Sequence, residues 1–242
     1  MRLLRPAALL PAVVVAAALA SAVPAAADSS VPARTVRQVG TYGYLSSPDY
    51  TGLMSARVAA AGLTLGLGTW DRLDGELVLV GGTLYRVGTD GTPTVVDDDR
   101  TTPFFEGIDF HPTASGPVAP GTTCANLGAR INEVAGTASG LIAVRVRGTF
   151  SDLQARSVSA QPLPYPTLAT AVAGQTVFPL PGRRAVLVGF WSGPQYAGVA
   201  APGLHLHGVT ADRTAGGHVL SCVAGGDVQL SVEPVRSVDV LH

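Results

Sequence analysis

Three of the five histidines in this 242-residue chain fall between His205 and His218. Their setting is Gly203-Leu204-His205-Leu206-His207, a stretch over residues 211–217, then His218-Val219-Leu220. Alternate side chains on a strand point to one face, so His205 and His207 share a face and Leu206 takes the other. The Asp, Thr and Gly content of residues 211–217 predicts a turn, and a returning strand then brings His218 beside the pair. Three neutral imidazoles can hold a divalent metal and leave a position open, the pattern of catalytic rather than structural zinc sites. Ordinary strand histidines are the competing reading, and three at this spacing favour a metal. Imidazole ligands also suit copper, iron and nickel, and the motif alone names no reaction.

The rest of the composition narrows the chemistry. All 16 basic residues are arginine. Without lysine there is no Schiff base on a lysine, no lysine-held pyridoxal phosphate and no Gly-x-x-x-x-Gly-Lys phosphate loop. A decarboxylase or aldolase on this chain needs a metal as its electron sink.

The first residues, Met1-Arg2-Leu3-Leu4-Arg5, are basic. An Ala-rich apolar run follows to Val23, and Ala25-Ala26-Ala27 precedes Asp28. This is the pattern of a secretory signal peptide over residues 1–27, cleaved after Ala27. A membrane anchor is the alternative, and the small residues at the site favour cleavage. The expectation is therefore a secreted or extracytoplasmic protein with no membrane attachment after cleavage. Residues 28–242 then form one domain, with sheet halves roughly at 28–140 and 141–242. Losing Arg2 and Arg5 leaves 14 basic against 17 acidic residues. No basic patch suited to nucleic acid is present. In an exported chain the pair Cys124 and Cys222 suggests a disulfide, the alternative being two unrelated buried thiols.

The elements that must position the histidines are mostly strands. Residues 63–70, 76–80, 84–87 and 94–96 predict a β-meander whose hairpins are marked by glycine. Residues 104–110 add a strand, 141–148 alternate apolar and basic as a half-buried strand should, and 156–166 read as extended. Further strands are predicted over 176–180, 185–190, 204–209, 218–223 and 228–232. Helices are predicted over 50–61, over 125–134 behind a Thr122 or Thr123 cap, and over 167–173. Residues 28–37 read as a loosely ordered polar arm, 39–45 as a short strand or turn, and 97–100 as a solvated loop. The Pro/Gly-rich residues 113–121 read as a crossing. The class is α+β (mixed α/β) with large sheets and a few short helices.

Taken together, these segments resemble α-acetolactate decarboxylase over roughly residues 52–220. The resemblance rests on Gly66-Leu67-Gly68-Thr69-Trp70-Asp71-Arg72-Leu73-Asp74-Gly75-Glu76, on Val146-Arg147-Gly148-Thr149-Phe150, and on Arg156-Ser157-Val158 with Gln161 and Pro164-Tyr165-Pro166. Gly189-Phe190-Trp191-Ser192 and the histidine stretch complete it. It implies a β-rich two-sheet domain of that family's type, with His205, His207 and His218 as zinc ligands and Glu76, Arg156 and Thr69 as active-site residues. The implied reaction turns 2-acetolactate, a small-molecule substrate, into acetoin and carbon dioxide. Trp70 stands where the family more often has Phe. The family's late active-site glutamate has no clear counterpart among the twenty-four residues after His218, where Glu233 is the one glutamate.

The chemistry agrees with that expectation. Acetolactate carries a carboxylate, a hydroxyl and a ketone on adjacent carbons. Loss of carbon dioxide leaves an enediolate, whose charge a zinc ion with three neutral ligands can stabilise as a Lewis acid. Arg156 can hold the substrate carboxylate by its planar fork, or could simply pair with Asp152. Glu76 is the candidate for proton handling. Its alternative is a turn-flanking role beside Asp74-Gly75, although glutamate is not favoured in strands. Thr69 could be an ordinary strand threonine, and Trp191 and Tyr165 read as core or pocket wall. Two other functions remain open: a metal-dependent lyase on another β-keto or α-hydroxy acid, and a non-catalytic metal-binding relic of the family. A homodimer is compatible with the sequence.

Overall fold

The structure is a computed structural model that describes residues 34–242. The expected signal peptide, and residues 28–33 of the expected arm, lie outside the described residues. In chain order the elements are β1 (Thr35–Val39), α1 (Tyr42–Ser46), β2 (Met54–Ser55), α2 (Ala56–Ala60), β3 (Leu65–Thr69) and β4 (Glu76–Val80). They continue as β5 (Thr83–Val87), β6 (Pro93–Val95), β7 (Thr101–Thr102), β8 (Phe104–Ile108), β9 (Ala114–Pro117) and α3 (Cys124–Ala135). The second half holds β10 (Leu141–Ser157), α4 (Leu168–Ala173), β11 (Thr176–Pro179), β12 (Arg184–Ser192), β13 (Gly203–Thr210), β14 (Gly216–Ala224), β15 (Gln229–Pro234) and β16 (Ser237–Leu241). Strands thus far outweigh the short helices, an α+β fold.

Two large sheets carry the molecule. The first runs β16-β1-β8-β3-β4-β5-β6, and the second β12-β13-β14-β10-β15-β9 with β11 beside β10. The first half of β10 pairs with β12 and β15, and its second half with β14 and β11. β10, β12, β13 and β14 therefore close into a ring. Each sheet borrows a strand from the other half of the chain: β9 joins the second and β16 the first.

Alternation assigns the cores. From β4, Val78 faces the second sheet and packs with Leu65, Leu67, Val188 and Phe190, while Leu77 and Leu79 face the other way, towards α2. Both faces of this strand are buried, which is why it reads as a nearly continuous apolar run. A further cluster fills the far side of the second sheet beneath α3, with Leu127, Ile131, Val144, Leu187 and Leu206. The Thr123 hydroxyl accepts from the Asn126 amide to start α3, and Gly136 at φ 67° ends it. Cys124, the first residue of α3, is bonded to Cys222 on β14 with their Cα atoms 5.0 Å apart.

Several local expectations are corrected. Residues 35–37 are not an arm: β1 is buried between β8 and β16, and Arg37 turns its guanidinium onto the carbonyls of Ala59 and Ala61 at the end of α2. The helix expected over 50–61 shrinks to α2, which Ser55 caps. Of residues 39–45, expected as a short strand or turn, Val39 ends β1 and 42–45 belong to α1. The expected crossing at 113–121 contains β9, and residues 237–241, to which the sequence assigns no element, form β16. The strand expected over 141–148 runs on to Ser157.

Candidate active site

β13 and β14 form a hairpin in which His207 faces His218 directly, while His205 lies two residues back on the same face as His207. Leu206 between them is buried in the cluster beneath α3. β10 places Arg156 opposite His218. That placement depends on β-bulges. Register shifts fall between Phe150 and Asp152 and between Gln154 and Ala155. As a result Phe150, Leu153 and Ala155 all face the α3 cluster, despite spacings that simple alternation forbids. Without the first shift Arg156 would point into that cluster; with it, Arg156 shares the histidines' face.

Two glycines let the strands approach. A Cβ on Gly217 would lie 2.4 Å from the Arg156 carbonyl oxygen, and its φ of +134° already disfavours a side chain. A Cβ on Gly189 would meet the His205 carbonyl oxygen at 2.0 Å.

The first sheet supplies the other side. Thr69 on β3 and Glu76 on β4 are direct partners, so both face the second sheet. Glu76 is 4% exposed. Its Oε1 accepts from Arg156 Nη1 at 2.5 Å, and its Oε2 lies 3.5 Å from His207 Nε2. Arg156 thus pairs with Glu76 and not with Asp152. Thr69 donates its hydroxyl to the Gly75 carbonyl, at 3.0 Å. The three histidines, Glu76, Arg156 and Thr69 line one cleft of about 480 Å³.

The histidine ligand atoms lie within 4.8 Å of one another. His207 Nδ1 is 2.8 Å from the Leu77 carbonyl. A carbonyl can only accept, so Nδ1 carries the proton and Nε2 keeps its lone pair for a ligand. That Nε2 sits 3.2 Å from His218 Nδ1, a separation that one ion with bonds of about 2.0–2.1 Å can bridge. His205 Nδ1 is buried without a partner. Burial, reinforced by the Arg156 charge, lowers His205 to about 4. His207 is held well below the usual histidine value by burial and by its neighbour His205, and His218 by burial and Arg156. All three are neutral at physiological pH, the form that binds a metal. Burial pushes the Glu76 carboxyl up, and the Arg156 guanidinium pulls it back down.

The remaining candidates fall elsewhere. Glu233 on β15 accepts from the His111 amide at 2.6 Å and does not line the cleft. Trp70 is buried beneath the first sheet with Arg100 over its ring, and Tyr165 stacks on Tyr50. Trp191 packs near α3, outside the cleft. His111 is exposed and pairs with Asp109. Sequence reasoning missed the apolar wall, which includes Leu45, Phe104, Leu168 and Val172, and it missed the Leu77 carbonyl that orients His207. The wall residues carry no chemical signal of their own, and a carbonyl is invisible in a sequence.

Comparisons with known proteins give the family. The model of the alpha-acetolactate decarboxylase family matches residues 36–241. The chain is similar to the alpha-acetolactate decarboxylase of Methanosarcina mazei, at 34% identity over 82% of this chain and 69% of that protein. It is similar to that of Bacillus subtilis strain 168, at 33% identity over 79% of this chain and 75% of the relative. The crystal structure of acetolactate decarboxylase from Bacillus subtilis subspecies spizizenii superimposes with a TM-score of 0.81 at 29% identity, covering 86% of this chain and 89% of that one. This chain, with its histidine triad and its paired Glu76 and Arg156 in one cleft, belongs to the alpha-acetolactate decarboxylase family.

Proposed function

We propose that this protein is an exported, zinc-dependent decarboxylase that converts 2-acetolactate to acetoin and carbon dioxide. The observation that carries the proposal is the convergence of three neutral imidazoles, the Glu76–Arg156 pair and Thr69 on one cleft between the sheets. His205, His207 and His218 would hold the ion, and the donor set suits it: one nitrogen is fixed as a lone pair by Leu77, and one is buried without a partner. A divalent ion there supplies a Lewis acid for the negative charge that develops on the substrate oxygens as carbon dioxide leaves.

The chain's own groups do the rest. Arg156 spends Nη1 on Glu76, while its Nε is buried without a partner, so the guanidinium keeps donors for the substrate carboxylate. Thr69 donates to Gly75, which leaves its oxygen free to accept from the substrate hydroxyl. Decarboxylation breaks the bond to the carboxyl carbon and leaves the electron pair as an enediolate. One proton is then taken up at carbon for each carbon dioxide released. Glu76, whose carboxyl is raised by burial, is the group positioned to deliver that proton. Its fixed place against Arg156 presents the proton to one face, which gives a chiral product.

Export is supported by the signal-like residues 1–27 and by the Cys124–Cys222 bridge, which suits an oxidising compartment. The mature chain is then one domain from residue 28.

The test is acetoin formation from racemic acetolactate by purified protein. Activity should disappear with a chelator and return with zinc. No acetoin above the spontaneous rate from metal-loaded protein would end the proposal. Amino-terminal sequencing of the protein recovered outside the cell should begin at Asp28.

A further inference from the structure

The cleft is roomier than acetolactate, and one side of it is lined by apolar side chains. Its histidines, Glu76, Arg156 and Thr69 all stand on strands. Its apolar wall comes mainly from elsewhere, from Leu45 on α1 and from Leu168, Ala169 and Val172 on α4, with Phe104 at the start of β8 and Leu204 in β13. Acetolactate's apolar groups are methyls only. A cleft of about 480 Å³ lies in the range that larger, drug-sized ligands fill.

The wall is built and held. Tyr50 donates its hydroxyl to the Pro166 carbonyl at 2.9 Å, just ahead of α4, and its ring packs on Tyr165 with centroids 5.1 Å apart. Arg72 and Gln161 exchange two bonds to each other's carbonyl oxygens, from Arg72 Nε at 2.9 Å and from the Gln161 amide at 2.8 Å. The Thr167 hydroxyl caps α4. The segment carrying Leu168, Ala169 and Val172 is therefore anchored to the first sheet side of the cleft.

We infer that this wall is a substituent-binding subsite, and that the enzyme takes 2-hydroxy-3-oxo acids whose C2 alkyl group is propyl or larger. The inference rests on the decarboxylase reading of the same site. The head of such a substrate presents the same carboxylate, hydroxyl and ketone to Arg156, Thr69 and the histidines. The longer alkyl group leaves water for the apolar wall. Each methylene so buried is worth roughly fourfold in binding. Exchanging methyl for propyl adds two methylenes, so KM should fall by roughly fifteenfold. The wall touches no reacting atom and binds ground and transition state alike, so kcat should stay near its acetolactate value.

The experiment compares zinc-loaded protein on acetolactate and on 2-hydroxy-2-propyl-3-oxobutanoate, following carbon dioxide release. Calorimetry with the unreactive 2-hydroxy-2-methylbutanoate and 2-hydroxy-2-propylbutanoate reads binding without turnover. The propyl compounds should show the lower KM and the tighter binding. Ala169→Phe fills the subsite from an exposed position on α4 that tolerates the change. It should bring the ratio of kcat/KM between propyl substrate and acetolactate to one or below. Turnover of acetolactate with the propyl substrate tenfold or more poorer would overturn this inference and leave the proposed function standing. Turnover of the propyl substrate alone would uphold the subsite and displace acetolactate as the substrate. Turnover of neither would overturn both. A propyl preference that Ala169→Phe leaves intact would also overturn the assignment to this wall.

Discussion

Glu106 provides a demanding test of how the two sheets pack. It stands on β8 opposite Gln38 on β1 and Leu67 on β3, on the strand face that carries Phe104 and Ile108 into the core between the sheets. It is 1% exposed, and neither carboxyl oxygen has a partner. Burial pushes its pKa from the ordinary 4.5 up to about 8. Below pH 4.5 the folded and unfolded chains both hold the proton, and nothing is lost. Between 4.5 and 8 the unfolded chain releases a proton that the folded chain keeps, so stability falls as pH rises. Above 8 the loss is complete. At about 1.36 kcal/mol per pH unit the full loss is roughly 4–5 kcal/mol, a large share of the ~5–15 kcal/mol that holds a typical domain folded. Glu106→Gln keeps the shape, removes the titration and offers an amide donor to Gln38 Oε1, which is itself buried without a partner. Urea unfolding of both proteins, followed by tryptophan fluorescence from about pH 5 to 8, should show the variant's advantage growing by roughly 3–4 kcal/mol. Taking the difference cancels every other titrating group. A difference that stays flat with pH would refute the reasoning, because Glu106 would then titrate alike in the folded and unfolded chains.

Three further outcomes are expected. His207→Ala should remove metal binding, read by metal analysis of the purified protein; full occupancy in the variant would strike His207 from the ligand set. Arg156→Lys should raise KM about tenfold or more because an ammonium cannot fork onto a carboxylate, whereas Arg156→Leu should cost about 1–3 kcal/mol of stability by leaving the buried Glu76 without its hydrogen-bond partner. Cys124→Ser with Cys222→Ser opens a bridge between residues 98 apart in sequence and should lower unfolding free energy by up to about 4–5 kcal/mol without changing the bound metal.

The strands that read well from sequence are those with their own apolar rhythm. The meander from β3 to β5 and the strands β12 to β15 carry enough Val, Leu and Ile for period and turn signals to locate them. The failures share a cause. β1, with Thr35, Arg37 and Gln38, reads as polar, yet its neighbours β8 and β16 bury it, and Arg37 finds the end of α2. β9 and β16 hold together through pairing with distant strands. Register with a remote partner is not written in a segment's own composition.

At the site, the sequence by itself determined the inventory and one local geometry. It supplied three imidazoles at a spacing that a hairpin converts into neighbours, removed lysine chemistry, and named Glu76, Arg156 and Thr69 through the family's motifs. The tertiary structure decided which way those groups face and what state they are in. Arg156 reaches the histidines because bulges within the β10–β14 pairing reverse its alternation. Glu76 reaches them because β4 belongs to the other sheet and docks across the cleft. The neutral histidines and the raised Glu76 carboxyl follow from burial, which exists only once the sheets have closed. Periodicity is local and can be read along a chain; a shared face and a dry environment are made by segments that meet only after folding.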